Sequence, residues 1–114
     1  MINLLQGEEI LKAFEVKKSP HGKGLFYITN LRVVLETRDY GTIIDLQYQT
    51  LRNYKNIDKD CFRIEWINGN NRWYYQFKIH GSSKQVYEIY AIANSKFARA
   101  ESIHAESFDN TIQS

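Results

Sequence analysis

A chain of 114 residues is one domain's worth of sequence, long enough to bury a core without cross-links. At 43% hydrophobic and 14% aromatic it reads as a folded globule, which excludes a disordered tail. Its net charge of +2 does not name nucleic acid as partner, and a single cysteine, Cys61, excludes an internal disulfide.

The opening Met-Ile-Asn-Leu-Leu-Gln-Gly lacks the charged start and long apolar core of a signal peptide. No later run approaches the roughly 20 apolar residues of a membrane span. The expected location is cytoplasmic, with any membrane contact peripheral.

The first predicted strand, Glu9 to Lys17, is apolar on both parities (Ile10, Leu11, Phe14, Val16) and its facing is open. "KSPHGKG" follows, a loop holding the only proline and two glycines. Leu25 to Thr29 and Leu31 to Thr37 come next. In the latter, Leu31, Val33 and Leu35 share one face, and Arg32, Val34 and Glu36 the other. "RDYG" is a turn, and "TIIDLQY" puts Ile44, Leu46 and Tyr48 on one parity.

"LRNYKNI" is a weaker strand. Phe62, Ile64 and Trp66 then alternate, as do Trp73, Tyr75, Phe77 and Ile79, with "NGNN" between them as a hairpin turn. One parity of the last strand (Trp73, Tyr75, Phe77) is expected in the core. After Gly81 the period becomes helical: Val86, Tyr90, Ala93, Phe97 and Ala100 form one stripe. Ser82 with Gln85 predicts a capping box at its start. The helix fades over 101–107. Residues 1–104 are expected to form one domain, with 105–114 a flexible tail or the start of a linker in a longer chain or multi-subunit complex.

Seven antiparallel strands must curl or close to protect their edges, and one helix with one apolar stripe suits the open end. The expected fold class is mainly β with one helix: a bent seven-stranded antiparallel barrel or sandwich capped by a C-terminal α-helix.

That order of elements resembles the pleckstrin-homology (PH) superfold. Gly7-Glu8-Glu9-Ile10, followed by Gly24-Leu25-Phe26-Tyr27-Ile28-Thr29-Asn30-Leu31-Arg32-Val33-Val34, resembles its GRAM and GLUE branches, the latter as in the endosomal-sorting machinery. The resemblance implies that Thr29-Asn30 is a strand corner, where Asn tolerates unusual backbone angles. Arg32 is expected on the outer face, paired with Glu36 or a neighbouring strand's carboxylate.

In lipid-binding PH domains the loop between the first two strands holds the phosphate ligands. The resemblance thus implies a headgroup site at Lys17, Lys18, His21 and Lys23, on a flexible hairpin with no acid inside it. Three lysines near an anionic leaflet give about 1 kcal/mol each, so a second contact is needed for firm binding. Gly-Leu-Phe follows Lys23, in place of the Arg-x-Arg of tight phosphoinositide binders. A plain solvated loop is the competing reading.

Tyrosines carry contact area with little rotamer entropy, which makes Tyr40, Tyr54, Tyr74 and Tyr87 candidate protein-binding residues; scattered surface tyrosines are the bland alternative. GLUE domains bind ubiquitin as well as lipid, so the implied partners are an anionic membrane surface, a protein such as ubiquitin, or both. Basic and aromatic residues interleave in "RNYKNIDKD" and "NNRWYYQFK", yet the element order does not suit an RNA-recognition fold, and nucleic acid is disfavoured.

Nothing in the sequence argues for catalysis or a cofactor. His21, His80 and His104 do not sit at zinc-ligand spacing with Cys61, whose expected role is structural. Gly22 and Gly24 give only G-x-G, and no carboxylate pair suggests an acid and a base. The chain reads as a non-enzymatic recruitment module, with lipid and protein ligands both open.

Overall fold

The computed structural model describes residues 2–98. Seven strands follow in chain order: β1 (Ile10–Lys18), β2 (Gly24–Thr29), β3 (Arg32–Thr37), β4 (Gly41–Gln47), β5 (Leu51–Asn56), β6 (Cys61–Asn68) and β7 (Asn71–Ile79). Helix α1 (Ser83–Ala93) completes the set and widens into a π turn at Asn94–Ala98. The strands form one antiparallel sheet in the order β4-β3-β2-β1-β7-β6-β5. A short 3-10 turn, Tyr48–Thr50, links the two edge strands β4 and β5.

The predicted mainly-β fold with a C-terminal helix is the observed one. Its core combines Phe14 and Val16 of β1 with Phe26, Ile28, Val33, Leu35 and Ile44. Phe62, Ile64, Tyr75, Phe77 and Ile79 join them from the β6–β7 hairpin, and Val86, Tyr90 and Ala93 from α1. This resolves β1, whose inward residues are Phe14 and Val16 while Ile10 and Leu11 stay exposed. In the hairpin, Gly69 takes φ 64° at the first of two loop positions, a conformation suited to glycine.

Three expectations need correction. Trp73 is 49% exposed, because β7 runs beyond the core at its N-terminal end. Ser82 makes no side-chain cap, and the buried Ser83 hydroxyl instead has two acceptors for its one proton, Asn56 Oδ1 and the Asp58 carbonyl. No residue other than glycine has a positive φ among those described, so Asn30 serves through its amide and not through an unusual backbone. It donates to the Gly7 carbonyl (3.0 Å) and accepts from the Glu9 N–H (2.8 Å).

That clamp introduces a second buried layer outside the main core. The segment 2–9 crosses the outer face of β2 and β3, where Tyr27, Thr29, Arg32 and Val34 are all buried. Arg32 donates to Glu8, to the Asn3 carbonyl and to Asp45 of the neighbouring β4, so the expected carboxylate of an adjoining strand is Asp45. The side chain of Phe97, the whole of Ala100 and His104, the fade over 101–107 and the 105–114 tail lie outside what is described.

Candidate binding site

The four groups of the basic loop diverge in space. Lys17 Nζ is 2.5 Å from Asp60 Oδ2, whose carboxyl is held below its ordinary pKa by that lysine. Exposed Lys18 sits opposite Lys78 in the β1–β7 pairing. His21 turns inward: its Nδ1 is 2.8 Å from the Tyr75 hydroxyl, and its ring stacks on Tyr75 with the Tyr40 ring edge-on at 5.4 Å. Lys23 lines a separate cleft of about 410 Å³ with Arg38 and His80, but also with Glu15 and Glu36. The turn is closed by its own bonds, Ser19 Oγ donating to the Gly22 carbonyl at 2.6 Å and accepting from the His21 N–H at 3.1 Å.

Two of the four tyrosines meet. Tyr54 on β5 and Tyr87 on α1 have ring centroids 5.2 Å apart and line a broad cleft of about 660 Å³. Lys55, Asn56, Ile57, Lys84 and Glu88 complete its walls. Tyr54 also packs at 4.3 Å on the buried Tyr90, whose hydroxyl has no hydrogen-bond partner among the described residues; burial raises the pKa of that phenol. The outer edge of β5 has no strand beside it among the described residues, which leaves main-chain groups next to the cleft. Tyr40 and Tyr74 lie elsewhere.

Tyr74 belongs to a surface that sequence spacing did not reveal. Outward positions of β5–β7 carry Lys55, Arg63, Arg72 and Lys78 around one carboxylate, the largely buried Glu65. Glu65 is 3.3 Å from Arg63, 3.9 Å from Lys55 and 4.0 Å from Arg72. The Arg63 guanidinium covers the Tyr74 ring at 4.0 Å, a cation–π contact. The signal was present in the alternation of Arg63 and Glu65 with Phe62, Ile64 and Trp66, which puts both charges on the outer face.

No three His, Cys, Asp or Glu side chains are grouped to hold a metal among the described residues. Cys61 is buried, and its thiol is pushed up by desolvation. No helix among the described residues is long and apolar enough to cross a membrane.

A seven-stranded antiparallel sheet with a C-terminal helix against its core defines a PH-like fold. Solved structures of that kind resemble this chain. The C-terminal domain of an unknown protein from Leishmania infantum aligns with TM-score 0.65 and 13% identity, over 80% of this chain and 88% of that one. A DUF1696 family protein with a pleckstrin-homology domain, from Shewanella loihica PV-4, gives 0.58 and 16%, over 80% and 85%. The Vps36 N-terminal PH domain gives 0.53 and 12%, over 88% and 86%. At these identities the likeness is one of fold. No protein-family model and no curated protein matches the chain.

Proposed function

We propose that this chain is a non-enzymatic recruitment module, residues 1–104 forming one PH-like unit of GRAM or GLUE type, that holds a segment of a protein partner between β5 and α1. The observation carrying this reading is the Tyr54–Tyr87 pair beside an open strand edge. An extended segment gains main-chain hydrogen bonds along such an edge, while the aromatic cleft selects its side chains. Tyr87 provides exposed area, and Tyr54 is held in place by Tyr90.

Lipid binding through Lys17, Lys18, His21 and Lys23 is the second reading. It is weakened by the ion pair of Lys17, the inward turn of His21 and the acids around Lys23. Sedimentation with phosphatidylserine vesicles, lost at raised salt and in the Lys17/Lys18/Lys23→Glu variant, would favour it.

The test of the protein reading is selection from a displayed peptide library, followed by NMR titration of the selected peptides and of ubiquitin. The expected result is amide shifts along β5 and α1, with binding lost in Tyr87→Ala. Shifts confined to other surfaces would overturn the assignment.

A further inference from the structure

The outer face of β5–β7 meets the Tyr54–Tyr87 cleft only at Lys55, which lines both, and that cleft leaves the rest of the face unexplained. Four cations and one carboxylate occupy its outward positions, on a chain whose total net charge is only +2. Lys18 extends the row from β1, directly beside Lys78. Positive charge is therefore gathered on one wall of the sheet. Glu65, the one acid at the outward strand positions, is mostly covered, while Asp60, just before β6, lies near Lys78; Arg72 and Lys55 are 66% and 52% exposed.

We propose that this wall is a docking surface for an acidic polypeptide segment, with Arg63, Arg72 and Lys78 meeting carboxylates and Tyr74 supplying the aromatic contact. Charge complementarity selects an anionic partner. Glu65 lies within ion-pair range of both arginines and Lys55, so these cations are gathered rather than scattered, and each guanidinium presents a planar fork that can take a carboxylate. What favours a peptide over other polyanions is the aromatic contact beside them. Tyr74, 60% exposed with one ring face under Arg63, joins aromatic area to arginine, the combination enriched in protein interfaces.

A single-stranded nucleic acid asks for a series of open rings on which successive bases stack. Tyr74 is the lone aromatic ring on the outward positions of these three strands. A bilayer would be served by apolar side chains among the cations, and only Ile67, at the hairpin end, is of that kind.

The experiment is a fluorescence-anisotropy titration of a labelled oligo-glutamate peptide, with NMR mapping of the bound protein. Parallel arms use oligo-uridylate and phosphatidylserine vesicles. Oligo-glutamate is expected to shift the amides of Arg63, Arg72, Tyr74 and Lys78, with affinity falling as salt rises. Arg72→Glu/Lys78→Glu changes only exposed side chains; it should weaken binding about tenfold or more while leaving the melting curve in place. Tyr74→Ala keeps every charge and should also weaken it.

Oligo-glutamate bound equally well by the double variant, or shifts centred on the β1–β2 loop, would overturn the proposal. Tighter binding of oligo-uridylate or vesicles to this same wall would overturn the peptide assignment. Tyr87→Ala serves as the control: retained oligo-glutamate binding in that variant separates this wall from the cleft, so either site can fail without the other.

Discussion

Glu8 and Arg32 meet through a two-pronged ion pair, Nε to Oε2 at 2.8 Å and Nη2 to Oε1 at 2.9 Å. Thr29 Oγ1 donates to the same carboxylate at 2.7 Å, and the Leu5 N–H at 3.0 Å. The Glu8 side chain is fully covered, so every charge here depends on its partners. Removing one partner leaves an uncompensated buried ion. Arg32→Ala should cost about 3–5 kcal/mol, measured by urea unfolding at neutral pH.

The same pair sets an acid limit. Hydrogen bonding from Arg32, opposed in part by burial, lowers the Glu8 pKa from 4.5 to about 2. The folded state therefore binds this proton more weakly than the unfolded state. Its stabilisation is complete above the unfolded value and is lost as pH falls from 4.5 toward 2. Urea midpoints measured down this range should decline less steeply in Glu8→Gln than in the wild type, although that variant starts lower.

Asn30 is exposed enough to be removed without leaving a cavity, yet its amide holds both Gly7 and Glu9. Asn30→Ala should cost about 1–2 kcal/mol, from two hydrogen bonds of ordinary worth. The Glu9 amide should exchange with deuterium faster, while amides of the β6–β7 hairpin keep their protection.

Gly24 is fixed by space, not by backbone angle. A Cβ there would lie 2.0 Å from the Glu36 carbonyl oxygen and 2.8 Å from the Thr37 Cα, both backbone atoms of the paired strand β3. Gly24→Ala should therefore destabilise by about 3 kcal/mol, the upper end for overpacking, because β2 and β3 must separate. Gly41→Ala meets no atom within 4 Å and makes the comparison, its cost coming from a φ of 71° alone.

Cys61 is covered by its surroundings, and desolvation pushes its thiol pKa up. The thiolate fraction near neutrality falls accordingly. Iodoacetamide should label this residue slowly in the native protein, at a rate set by the population of opened states, and rapidly in denaturant, as read by mass spectrometry.

Alternation was enough to read the β6–β7 hairpin, since Phe62, Ile64, Tyr75 and Phe77 fall on the inner face as their parity requires. Parity names a face, however, and does not say how far along the strand that face is covered. Trp73 has the inner parity and lies past the end of the core. Arg32 likewise lies outside the main core as expected, but segment 2–9, which has no periodicity to read, covers it. The basic loop reads as one cluster in sequence, yet its side chains are dispersed in space. Neighbours in a turn point apart, so Lys17, His21 and Lys23 found Asp60, Tyr75 and a separate cleft. The cations of β5–β7 are far apart in sequence, and only strand pairing gathers them.

Both tryptophans of the chain sit opposite each other near one hairpin end, Trp66 half-buried and Trp73 half-exposed, while seven tyrosines and phenylalanines make up the aromatic interior among the described residues. Emission excited on the red side of the indole band thus reports on that tip alone. The dichroic bands of Tyr48, Tyr75 and Tyr90 report on the interior. The two signals watch neighbouring regions of one sheet, its tip and its interior, and a fraying tip will quench the first before the second changes.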